Sequence, residues 1–128
     1  MTVILQDAYR LPFQDQPLCN ARIAHAGNWL SGGTVGVSST EVGFIGDAPT
    51  NTLTYERWKP AGTSSETWEY NHGSAARADY CCIAAHTIAS DGATVKVQYH
   101  NGSTWVDLST AQAPASDAPI FVIFEPQT

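Results

Sequence analysis

The stretch ATVKVQYHNGSTWVDLST, residues 93–110, decides the fold class. Two runs that alternate apolar and polar residues flank Asn101-Gly102, the dipeptide preferred in two-residue hairpin turns because both of its positions take positive φ. Counting outward from that turn sets Val97 opposite Val106, Val95 opposite Leu108, Lys96 opposite Asp107 and Gln98 opposite Trp105. Residues directly opposite share a face, so the apolar pairs point inward together and Lys96 and Asp107 point outward together. A four-residue loop would keep the same faces.

The rest of the chain agrees with this β signal. Clusters of Gly, Ser, Thr, Asn and Pro interrupt the sequence about every ten residues, as in an all-β domain, and apolar residues at three-four spacing are hard to find. Any helix should be a single turn. GTVGVSST (33–40) reads as a short strand, and residues 41–65 read as loop anchored to the core by Trp58. In ETWEYN (66–71), Trp68 and Tyr70 share one face while Thr67 and Glu69 share the other. ADYCCIAAHTI (78–88) and APIFVIFEP (118–126) are apolar on both faces, as expected of central strands covered on both sides.

The first 20 residues carry Pro12, Pro17 and three Gln, and read as an extended N-terminal arm that either packs along its own domain or reaches a neighbour. Tyr9, Arg10, Leu11 and Phe13 are its candidate assembly residues, and residues 21–128 are expected to form the β-sandwich domain.

At 128 residues the chain can bury a core without staples. Twelve acidic against six basic side chains give a formal charge of -6, with no Lys/Arg run suited to a phosphate backbone, so nucleic acid is not an expected partner. No apolar run approaches a membrane-spanning length, and residues 1–17 lack the basic start and apolar core of an export signal. Three cysteines do not make a disulfide framework, and the odd number leaves at least one free thiol.

DYCCIAAH (79–86) resembles a thiol or metal site until strand parity is applied. Cys82, Ala84 and His86 fall on one face and Cys81, Ile83 and Ala85 on the other, so the two thiols diverge and read as structural cysteines. No second Cys or His pair completes a zinc site. His86, at the end of this strand, is a candidate general base beside Asp91; the alternative is a partly buried histidine bonded to backbone. Nothing nominates a nucleophile, and a non-enzymatic role is expected.

Trp105 falls on the outward face with Lys96, Gln98 and His100. It is a candidate sugar-stacking platform or protein anchor, unless the arm or a loop covers it. Trp105, Gln98, His100 and His86 form the candidate ligand-binding set. In GDAPTNTLTYERW (46–58), Asp47, Asn51 and Thr54 offer oxygens of the kind a structural calcium takes; the alternative is turns bonded to their own backbone. No other cofactor is expected.

The succession LTYERWKP, TWEYNHGSAARADYCCIAAH, GATVKVQYHNGSTWVDL and PIFVIFEP resembles the discoidin, or coagulation-factor C-type, domain of the galactose-binding-like sandwiches. More closely, it resembles a version in virion and tail-associated proteins of tailed bacteriophages, over roughly residues 28–126. The resemblance implies an antiparallel jelly-roll-like sandwich whose end loops bind glycans, lipids or proteins. It matches Trp58 to the Trp closing the first long loop, Trp68 and Tyr70 to the next strand, and Trp105 to the Trp after the Asn-Gly turn. Asp47 and Asn51 lie where many relatives hold calcium, but the Asp-Gly pattern of that site is missing. A further strand follows PIFVIFEP in the family and has no counterpart before Thr128: either the sequence is truncated there or a neighbouring segment completes the sheet, and a missing strand would expose an edge to another chain.

The combined expectation is a structural component of a phage particle (capsid, neck or tail), made in the host cytoplasm and located in the virion. It would assemble with other virion proteins, and with copies of itself, through its arm and sheet edge. The alternative is a module that recognises host-surface glycans. No membrane partner is expected.

Overall fold

A computed structural model of the chain describes residues 3–5, 29–51, 53, 55–74 and 77–127. The fold is all-β, with one single-turn 3-10 helix, Ala48–Thr50, among the described residues. The strands are β1 (Val3–Leu5), β2 (Thr34–Val37), β3 (Trp68–Asn71), β4 (Ala78–Ile83), β5 (Gln98–His100), β6 (Trp105–Asp107) and β7 (Ile120–Gln127). They make three small antiparallel sheets ordered β1-β7-β4, β2-β3 and β5-β6.

Two compact units divide the chain. One comprises Met1–Ala21 with Ala76–Thr128, the other Arg22–Ala75. In the first, β7 is the middle strand, with Val3 opposite Ile123 on one side and Tyr80 opposite Ile123 on the other. Ile120, Val122 and Phe124 project to one face of β7 and are buried. Ala78, Cys81, Ile83, Ile88, Val95, Val97 and Leu108 pack against them. The inward face of the hairpin therefore covers this face of the sheet, as its alternation required. Burying a side chain of this kind contributes about 1.5–3 kcal/mol.

The second face of that sheet departs from expectation. Strands covered on both sides were expected, yet Tyr80 is 42% and Phe121 43% exposed, and Cys82 is exposed beside them. The packed layer supplied by Ile88, Val95, Val97 and Leu108 lies against the Ile120 face. Apolarity on both faces of β4 and β7 thus marks a sheet with one open apolar face.

The hairpin register also differs from the two-residue count. Gln98 faces Asp107, Tyr99 faces Val106 and His100 faces Trp105, across a four-residue loop at 101–104. Asn101 does not take positive φ, whereas Gly102 does, at 93°. The Asn101 carboxamide oxygen accepts from the backbone N–H groups of Ser103 (3.0 Å) and Thr104 (2.9 Å), closing the wider loop. The shift of two residues leaves every side chain on its expected face.

In the second unit, β2 and β3 pair with Val35 opposite Tyr70 and Val37 opposite Trp68. Trp68 and Tyr70 lie on one face with rings nearly parallel, 6.4 Å apart, and Glu69 is on the other, as alternation predicts. Trp29 packs edge-on to His72 at 4.6 Å, and its carbonyl accepts from the Tyr70 hydroxyl at 2.9 Å. Trp58 anchors its loop by donating from Nε1 to the Ser39 carbonyl. Trp68 pins the same loop further along, donating to the Gly46 carbonyl. Glu66 accepts from the hydroxyls of Ser38 and Ser39, while Ser39 Oγ accepts from the Ala61 N–H. These bonds hold the base of the loop as one network.

Candidate functional site

The outward face of β5 and β6 gathers three of the four candidate ligand residues. His100 and Trp105, directly opposite one another, meet edge to face with ring centres 5.2 Å apart. Trp105 is 44% exposed. Two residue pairs along, on the same face, Asp107 pairs with Lys96 Nζ at 2.9 Å and accepts from Gln98 Nε2 at 2.6 Å. Those two donors hold its carboxyl below the ordinary value. An aromatic pair thus adjoins an anchored carboxylate on one flat strand surface. That combination can stack on the apolar face of a ring and accept a hydrogen bond from its rim.

His86 does not join this set. Strand β4 ends at Ile83, and Ala85 takes a left-handed φ of 53°, which breaks the alternation that placed His86 on the face of Cys82. The imidazole is instead only 7% exposed. Its Nε2 is 2.9 Å from the Ala118 carbonyl and its Nδ1 is 3.3 Å from the Ile88 nitrogen. A carbonyl only accepts and a backbone N–H only donates, so the proton sits on Nε2 and both ring nitrogens are engaged. Asp91 is bonded to the Thr87 hydroxyl, and the carboxylate near His86 is Asp117, 3.9 Å from Nδ1. Asp117 accepts from the N–H groups of Ala89 and Ser90 and from the Ser90 hydroxyl, tying the 87–92 turn to the 115–119 loop. This is the backbone-bonded histidine of the second expectation.

The cysteines diverge as parity required. Cys81 points to the core, where burial, followed by the neighbouring Cys82, pushes its pKa up to about 11. Cys82 is on the open face, and partial burial raises its pKa too. Among the described residues no group of three or more His, Cys, Asp or Glu converges as metal ligands.

In the 46–58 loop, Thr54 lies outside the described residues. Asn51 accepts from the Leu53 N–H and donates to Glu56, both at 2.7 Å. The Asp47 carbonyl accepts from Thr50 through both its N–H and its hydroxyl. Asn51 thus bonds to the backbone of its own turn, while the Asp47 side chain makes no capping bond. Tyr9, Arg10, Leu11 and Phe13 also lie outside the described residues.

One feature went unseen in the sequence. Five of nine exposed large hydrophobic side chains fall between residues 42 and 55: Val42 (97%), Phe44, Ile45, Leu53 and Tyr55 (76%). Backbone bonds from Glu41 to Lys59 and from Ile45 to Arg57 clamp the loop, and a Glu41–Phe44 turn lifts Val42 to its tip. Lys59 pairs with Glu41 at 2.6 Å and lies over the Phe44 ring. Apolar residues interspersed with turn formers look like ordinary loop in a sequence; only their clamped, outward display distinguishes them.

No family model, no curated protein and no solved structure matches the chain. No helix among the described residues is long and apolar enough to cross a membrane.

Proposed function

We propose that this chain is a non-enzymatic structural component of a tailed-phage particle, its sheets forming part of a discoidin-like jelly-roll sandwich. The observation that carries the assembly role is the apolar display at residues 42–55, with Val42 97% and Tyr55 76% exposed on a clamped loop. Large apolar patches held out to solvent mark interaction surfaces. The buried, doubly bonded His86 favours a structural over a catalytic role. The resemblance supplies the phage context. In particles purified from producing cells, the chain should appear by mass spectrometry, and Val42→Asp with Tyr55→Ser should remove most of it while circular dichroism stays unchanged. Particles lacking the chain, or incorporating the double variant normally, would refute the role.

A second reading, glycan recognition, is favoured by the exposed Trp105–His100 pair beside Asp107. A glycan array should then show binding that Trp105→Ala removes. An array without hits from folded protein would eliminate this reading.

A further inference from the structure

We propose that β4 is a self-pairing edge, adding antiparallel to β4 of a second copy of this chain about a two-fold axis that passes through the Cys81 pair or the Cys82 pair, midway between the two copies of that residue. This deepens the assembly reading by naming one partner.

β4 is bonded to β7 on one side, and among the described residues no strand pairs with its other side. Proteins usually blunt such an edge with Lys, Pro, a bulge or a cover. Among the described residues the only such device is the register shift between Ala78 and Tyr80, which leaves Tyr80–Cys81–Cys82–Ile83 regular and without a charge. A chain of formal charge -6 repels its copy, but no part of that charge lies on these four residues.

Face matching restricts the register. In an antiparallel pair, opposite residues share a face, so Cys81 and Ile83 must meet core-side residues, and Tyr80 and Cys82 must meet open-face residues. Only axes through a residue satisfy this; an axis between residues would set core side against open side. Within the regular segment, the central residues through which the axis can pass are Cys81 and Cys82. With the axis through Cys81, Tyr80 lies opposite Cys82 of the second copy. With it through Cys82, Cys81 lies opposite Ile83. Either way the open strip of Tyr80, Cys82 and Phe121 continues into the same strip of the copy, and the sheet grows from three strands to six.

Both registers also place a cysteine opposite its own counterpart. Directly opposite residues in antiparallel strands have Cα atoms about 4.5–5.5 Å apart, within the span of a disulfide. The adjacent cysteines, which as a pair cannot share a ligand within one chain, therefore report on contact between two chains.

The full chain carrying Cys19→Ser is measured by sedimentation velocity from low micromolar to submillimolar concentration. It is then treated with diamide, which takes two hydrogens from two thiols and leaves one disulfide. A concentration-dependent dimer is expected, captured as a disulfide through residue 81 or 82. Tyr80→Lys should weaken the dimer by about tenfold or more and abolish capture. If that variant loses its circular dichroism signal, Cys82→Lys, at an exposed position, replaces it and is read by sedimentation alone. A monomer across the whole range, or a dimer indifferent to both lysines, overturns the inference. If the chain is monomeric yet the 42–55 variant still drops out of particles, only this inference falls. If it dimerises through β4 but is absent from particles, only the phage reading falls.

Discussion

Gly33 lies directly against the ring of Tyr70, so close that a β-carbon on Gly33 would overlap the Tyr70 hydroxyl and the Asn71 carbonyl. Tyr70 has little room to retreat, because its hydroxyl donates to the Trp29 carbonyl and its ring faces Trp68. Gly33→Ala should destabilise the Arg22–Ala75 unit by about 1–3 kcal/mol, as overpacking does. Thermal unfolding followed by near-ultraviolet circular dichroism checks this. Unchanged melting would show that the ring moves aside freely.

The core of the other unit rests on a few side chains, with Ile120 and Val122 each 1% exposed. Ile120→Ala should cost about 2–5 kcal/mol, measured as a lowered denaturant midpoint. Phe121→Ala, on the open face, should cost much less. Equal losses would mean that the open face is covered in solution.

Asp117 sets an acid limit. The Ser90 hydroxyl, then the amides of Ser90 and Ala89 and the nearby His86, hold its carboxyl below the ordinary value. A carboxyl whose pKa is lower folded than unfolded stabilises fully above the unfolded value, about 3.9. That contribution is lost as pH falls through the folded value. Stability measured from neutral pH downward should fall below pH ~4. Asp117→Asn should be less stable at neutral pH and show a shallower acid slope. Identical slopes would exclude Asp117 as a source of the loss.

The adjacent thiols should differ in reactivity. With Cys19→Ser in place, iodoacetamide should modify Cys82 about tenfold faster or more, because Cys81 is packed in the core with its pKa pushed up to about 11. Peptide mass spectrometry of single-serine variants separates the two rates. Equal rates would contradict the parity of β4.

Much of this was readable from alternation alone. Period-two patterning placed Val95, Val97 and Leu108 inward, Trp105 outward, and the two cysteines on opposite faces, because pleat geometry requires no knowledge of distant residues. The hairpin register was not readable, since the Asn101 carboxamide takes two N–H groups instead of adopting the positive φ that Asn-Gly usually signals. The side taken by His86 was hidden for a similar reason: one alanine, Ala85, turns left-handed and reverses the count. The partnership of His86 with Asp117, 31 positions on, depends on long-range folding that no local pattern encodes. Of the binding surfaces, the Trp105 face was visible as a pattern. The apolar display at 42–55 was not, because exposure there follows from the clamp at its base.

The register of β1 on β7 bears on how the chain is made. Leu5 lies opposite Phe121, so β1 pairs with a strand that is translated long after it. The Arg22–Ala75 unit can close its own strand pair while synthesis continues. Sheet β1-β7-β4 must wait until β7 has been translated, and joining such distant segments is intrinsically slow. Throughout that interval the edge of β4 that β7 will occupy stays open as well. Translation speed and crowding by neighbouring nascent chains therefore bear on this sheet most strongly in the moments before β7 docks.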